Sequence, residues 1–229
     1  MQRLVLFDID GTLMLLDNVA NNAFSAMAKE LFGVEASIFS TRCSGKTDSL
    51  ILEEVMLAKG IDEREIEAKK KMAFERYCFY FGQYLNNGDS YRIYPGVIPL
   101  LENLVRQECI RLGLLTGNVE FTAWKKLEKA SLNRYFTFGA FGDESKVRSD
   151  LVRIALDRAK EKFGITFAGR EAVIIGDSVH DVECGKGYGA RSIAVATGFH
   201  SKEELLSAEP DVLFDDLSDY QAVIDIILS

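Results

Sequence analysis

The stretch RLVLFDIDGTLMLLD, residues 3–17, constrains this chain more than any other feature. Leu4, Val5, Leu6 and Phe7 form an unbroken apolar run, the pattern of a strand covered on both faces. Asp8 and Asp10 follow, separated only by Ile9. Strand side chains alternate faces, so the two carboxylates project to one side, about 7 Å apart along the strand. Like charges that close oppose folding unless something is placed between them.

The remainder of the chain has two textures. Residues 17–88 read as helical: Ala20, Ala23, Phe24, Met27, Ala28 and Leu31 recur at helix spacing up to Gly33. Ile51, Leu52, Val55 and Met56 give a second apolar face. Asp62 with Glu65 reads as a capping box for a third helix, whose stripe is Ile66, Ala73, Tyr77, Phe81 and Tyr84. The run Lys69-Lys70-Lys71 is expected on the solvated face of that helix. From Tyr91 onward, strands and helices alternate. CIRLGLLTGN, EAVIIGD, RSIAVATG and DVLF read as strands, and Phe121–Lys129, Asp150–Phe163 and Leu217–Leu228 as helices. Strand–helix alternation implies a mainly parallel, Rossmann-like sheet with helices on both faces, an α/β fold. The first strand belongs to that sheet, so the helical block is an insertion. The expected division is a core of 1–15 and 91–229 with an all-α insert of 16–90.

Three of these strands end in polar residues, and ligands bind at the carboxyl ends of strands in an open parallel sheet. The first set is Asp8 and Asp10. The second is Thr116, Gly117 and Asn118. The third is Asp177 and Asp181 in VIIGDSVHD, the latter expected in the first turn of the following helix. Carboxylates about 4 Å apart repel by roughly 4 kcal/mol at an effective dielectric of 20, a cost that a hard divalent cation removes. An oxygen-only donor set without His or Cys favours Mg²⁺. By contrast, Gly185, Gly187 and Gly189 follow a helix and precede a strand, the wrong context for a dinucleotide fingerprint.

The formal charge of −8 argues against nucleic acid or an anionic membrane as partner. No apolar run approaches the roughly 18 residues of a membrane span. Cys43, Cys78, Cys109 and Cys184 lie far apart with no C-x-x-C pair, as expected of reduced thiols in a cytoplasmic protein. A monomer is the default expectation, with a homodimer left open.

DIDGTL, LLTGN and VIIGDSVHD, in this order and with a helical insert after the first, resemble the haloacid dehalogenase superfamily. The similarity is to its phosphoglycolate-phosphatase-like members with an inserted helical cap. It implies that Asp8 is a nucleophile forming an aspartyl-phosphate, and that Asp10 is general acid and then general base. It further implies Mg²⁺ held by Asp8, the Asp10 carbonyl, Asp177 and Asp181, with Thr116, Gly117 and Asn118 on the phosphoryl oxygens. The family's bridging cation falls at Lys146 by position, while Arg148 immediately before the helix can fill the same role. Gly45 and Lys46, in CSGKTDSLIL, would read the part of a small phosphomonoester beyond its phosphate, with Lys46 supplying positive charge. A phosphomutase uses the same chemistry with a different acceptor. A receiver module that stores phosphate has no need of the second acid or of the helical insert.

Overall fold

Every residue of β1 (Arg3–Phe7) is buried, and the strand lies in the middle of a six-stranded sheet. The structure, a computed structural model, describes residues 2–85 and 90–229. After β1 come β2 (Met14–Leu16), then α1 (Val19–Phe32), α2 (Asp48–Ala58) and α3 (Glu63–Tyr84). The chain continues through β3 (Tyr91–Ile93), α4 (Val97–Leu104), β4 (Ile110–Leu115), α5 (Glu120–Lys129) and β5 (Gly139–Ala140). It then runs through α6 (Arg148–Phe163), β6 (Ala172–Gly176), α7 (Val179–Cys184) and β7 (Arg191–Val195). The last elements are α8 (Lys202–Ser207), β8 (Val212–Phe214) and α9 (Tyr220–Leu228).

The sheet order is β5-β4-β1-β6-β7-β8, and neighbouring strands are parallel throughout. Alternation along β1 sorts its side chains onto two cores. Leu4 and Leu6 pack with Leu151, Val152, Ala155 and Ala159 of α6. Val5 and Phe7 join the cluster that holds Leu100 and Leu104 of α4 and Val223 and Ile227 of α9. Each such buried Leu or Phe contributes about 1.5–3 kcal/mol by leaving water. Ile9 continues the side of Val5 and Phe7, which leaves Asp8 and Asp10 on the opposite parity. Because β4 and β6 flank β1, the chain departs to opposite sides at its carboxyl end, and a crevice opens there.

Helices α1, α2 and α3 lie between β2 and β3, which pair antiparallel through Met14 with Ile93 and Leu16 with Tyr91. The sequence reading does not include this ribbon, whose strands lie on either side of 17–88, because three-residue strands are too short to show a period. Residues 86–88, at the end of that range, lie outside the described residues. Phe24 of α1 meets Tyr77 of α3 edge-on at 6.5 Å, and Tyr77 meets Phe81 at 6.2 Å. Asp62 caps α3 by accepting from the Arg64 amide. Glu65 pairs with Lys69 instead of reaching back, so the expected capping box is not completed. Lys69 also departs from a purely solvated role, since it donates to the Leu31 carbonyl at 2.9 Å and lies over the Phe32 ring. Helix α6 begins at Arg148, two residues earlier than its periodicity suggests, and α9 at Tyr220 instead of Leu217. Among the described residues the four cysteines are unpaired, and no helix is long and apolar enough to cross a membrane.

Candidate active site

The three polar strand ends meet in the crevice. Asp8 follows β1 and is 6% exposed, and its amide donates to the Ile175 carbonyl of β6 at 3.0 Å. Asp177 follows β6, and Asp181 lies in the first turn of α7, both 2% exposed. One carboxylate oxygen from each of Asp8, Asp177 and Asp181 lies within 4.8 Å of the others. Asp181 is aimed by Ser178, whose amide and hydroxyl donate to its Oδ2 at 3.0 and 2.5 Å. Asp177 Oδ1 accepts from the Thr12 hydroxyl at 3.1 Å. Gly11, at φ +87°, carries the chain past this group, where any Cβ would strike the Asp177 carboxylate.

One guanidinium enters the triad. Arg148 Nη2 lies 3.2 Å from Asp8 Oδ1 and donates to Asp181 Oδ1. Its Nη1 donates to the Gly45 carbonyl at 2.9 Å, tying the loop before α2 to the crevice. Gly45, at φ +75°, lies so close to α7 that a Cβ would collide with Ser178. Three carboxylates against one guanidinium leave a formal charge of −2 in a buried site. Burial pushes the Asp8 carboxyl up to about 7 against the pull of Arg148, with Asp181 and Asp10 adding to the rise. Burial, then Asp8 and Asp181, likewise raise Asp177 well above the usual carboxylate range. Asp177 Oδ2 is buried with no hydrogen-bond partner among the described residues. An orphaned carboxylate oxygen, an all-oxygen donor set and a charge of −2 fit a hard divalent cation.

Residues 5–195 match the family described as haloacid dehalogenase-like hydrolase. The chain belongs to that family. Phosphoglycolate phosphatase 1 of Pseudomonas aeruginosa is 30% identical to it, over 95% of this chain and 78% of that protein. A hydrolase from Pseudomonas syringae superposes with a TM-score of 0.71 at 22% identity, covering 100% of both chains. A Bacteroides vulgatus protein described as a candidate β-phosphoglucomutase gives 0.69 at 20% identity, over 99% of this chain and 89% of that one. These two likenesses concern the fold.

In this haloacid dehalogenase-like hydrolase the fourth acid is held apart from the triad. Asp10 Oδ2 accepts from Lys126 Nζ at 2.5 Å and from Asn118 Nδ2 at 2.7 Å. Three carboxylates therefore form the cluster, while the Asp10 side chain lines the same cavity turned to a lysine. Asn118 also donates to Thr116 Oγ1 at 2.8 Å and accepts from Lys126 at 2.7 Å. Thr116 is fully buried behind Asn118, while Gly117 and Asn118 line the cavity in front of Asp8. Lys126 is absent from the sequence reading. It is 3% exposed, and with Thr122, Ala123 and Leu127 it falls on the buried face of α5. A lysine on an apolar stripe was the available signal.

The two candidates for the bridging cation separate. Lys146 is partly exposed and pairs with Glu53 and, at 3.9 Å, with Glu67, so its charge is spent on α2 and α3. Arg148 alone of the two touches Asp8. Lys46 lines the cavity, but its Nζ is held by Glu54 at 2.6 Å and Thr41 at 3.2 Å. Its positive charge is neutralised inside the loop and helix that carry it.

Proposed function

We propose that this hydrolase is a Mg²⁺-dependent phosphatase that cleaves a small phosphomonoester through a phosphorylated Asp8, with residues 16–90 as the cap over the site. The observation that carries the reading is the buried Asp8–Asp177–Asp181 triad with Asp10 held beside it by Lys126. Phosphatase-named relatives support a phosphoric monoester hydrolase. Asp8 Oδ attacks phosphorus as the bond to the alcohol oxygen breaks, and Asp10 delivers a proton to the leaving alkoxide. Asp10 then takes a proton from water as its oxygen attacks the phosphorylated Asp8, which releases phosphate and restores both acids. Lys126 and Asn118 occupy Asp10 Oδ2, leaving Oδ1 for the proton. Arg148 holds the Asp8 carboxylate and faces the charge that builds on the phosphoryl oxygens. Asp8, Asp177 and Asp181, with the Asp10 carbonyl, would hold Mg²⁺, which when bound compensates charge on the transferring group.

Rapid acid quenching during turnover, followed by peptide mass analysis, should find the Asp8 peptide heavier by one phosphoryl group. Turnover with no such species and with inversion of configuration at a chiral phosphorus would exclude the covalent route, whose two displacements retain it. Release of inorganic phosphate as the main product is expected; rearrangement of a sugar phosphate outpacing release would instead support a mutase.

Two variants test the supporting groups. Arg148→Ala should lower kcat about 10²–10³-fold, the loss typical of a transition-state charge partner. Lys146→Ala should leave kcat within about twofold, because a partly exposed ion pair contributes about 0–1 kcal/mol and lies away from the phosphorus. The reverse ranking would return the role to Lys146. Lys126→Met should cut kcat about 10²-fold with KM little changed, since positioned proton transfer supplies about 10²–10⁴. An unchanged kcat would mean that Asp10 needs no fixing.

A further inference from the structure

The cavity in front of Asp8 extends beyond what a phosphoryl group fills. Its volume is about 330 Å³, at the lower end of the roughly 300–1,000 Å³ of sites that enclose drug-sized ligands. Leu15, Leu16, Ala20, Ile38, Ile51 and the ring of Tyr77 make its walls largely apolar. Phe39 and Phe199 also line it while remaining 60% and 71% exposed, so they flank its mouth.

Every cation on the wall is already committed. Lys46 is held by Glu54, Lys126 by Asp10, and Arg148 by Asp8 and Asp181. Two further acids, Asp17 and Asp48, line the same space. A carboxylate on the leaving group would be desolvated there without a free cation, beside like charge, which costs several kcal/mol.

Two hydrogen-bonding groups on the insert are left open. Tyr77 is 4% exposed and lines the cavity, and its hydroxyl makes no hydrogen bond among the described residues. Asp48 Oδ2 accepts from the Val119 amide at the start of α5 at 2.9 Å, while Oδ1 has no hydrogen-bond partner among the described residues. An alcohol O–H can donate to a carboxylate oxygen and accept from a phenol at the same time. Resting on the phosphatase reading above, the geometry points to a phosphomonoester whose alcohol part is uncharged and largely apolar, with a second hydroxyl that meets Asp48 and Tyr77. Phosphorylated acids such as 2-phosphoglycolate fit the cavity poorly.

Matched alkyl, ω-hydroxyalkyl and ω-carboxyalkyl phosphates, four to eight carbons long, test this alongside 2-phosphoglycolate in the presence of Mg²⁺. At the best chain length kcat/KM should rank hydroxyalkyl above alkyl above carboxyalkyl. The gap between the first and last should be about tenfold or more, and 2-phosphoglycolate should fall with the carboxyalkyl series. Tyr77→Phe should raise KM for the hydroxyalkyl ester about fivefold while leaving kcat and the alkyl ester unchanged. A carboxyalkyl ester or 2-phosphoglycolate that matches the hydroxyalkyl series would overturn the inference. So would a Tyr77→Phe enzyme that loses both neutral series alike. Absence of Asp8-dependent phosphate release from every compound would instead defeat the phosphatase reading itself.

Discussion

Asp8→Asn is expected to abolish phosphate release, with kcat reduced about 10⁴-fold or more. The amide has the shape of the carboxylate but no charge, so it cannot form the acyl-phosphate bond. No neighbour can substitute. Asp181 is engaged by Arg148 and Ser178, Asp177 is held by Thr12, and Asp10 is tied to Lys126 and Asn118. The variant should also fold at least as well as the parent without metal. Burial holds the Asp8 carboxyl up to about 7, so at pH 8 its ionised form works against the folded state. Removing that charge should stabilise the metal-free protein by on the order of a few kcal/mol. Activity and denaturant titration of the same preparation check both. Retained turnover would remove Asp8 from the chemistry, and a variant that is inactive only because it unfolds would leave the assignment unsupported.

Metal removal is the second large effect. Chelation should lower activity about 10³-fold, restored by Mg²⁺, because charge compensation of this kind is worth several kcal/mol. The same groups give stability a sign with pH. In the metal-free protein the folded pKa of Asp8, about 7, lies above the ordinary 3.8. Asp177 is displaced in the same direction. The folded state therefore holds more protons than the unfolded chain between about pH 4 and 7, and stability falls as pH rises through that window. Bound Mg²⁺ favours the ionised carboxylates and should flatten the decline. Thermal melts at pH 5 and pH 8, with and without Mg²⁺, should show the larger metal-induced rise in Tm at pH 8. An equal rise at both values would mean that these carboxylates are not the binding groups.

The loop before α2 shows how far local sequence carries and where it stops. Lys46 is readable as a charge near the site, yet its partner Glu54 stands eight residues on and turns toward it only when α2 forms. Reading the lysine as an anion receptor required knowing that it is unpaired. Lys146 and Arg148 pose the same difficulty at closer range. They differ by two residues, but α6 begins between them and directs one into the crevice and the other toward α2 and α3. Lys126 went unnoticed because helix periodicity reports which face is buried and not what a polar group on that face meets.

The parallel α/β core and the acids at its strand ends are legible along the chain alone. Those features are local: an apolar run fixes a buried strand, its parity fixes which side each carboxylate takes, and the turn after it requires glycine. That three acids and one arginine share a site while the fourth acid joins a lysine is an outcome of tertiary packing, which no local pattern reveals. Packing also decided that α1, α2 and α3 wall a largely apolar cavity whose cations are paired. Those outcomes depend on which distant side chains are brought within hydrogen-bond reach, and on how much water is left between them. Coulomb and desolvation energies follow separation and burial in space, and neither can be read from spacing along the chain.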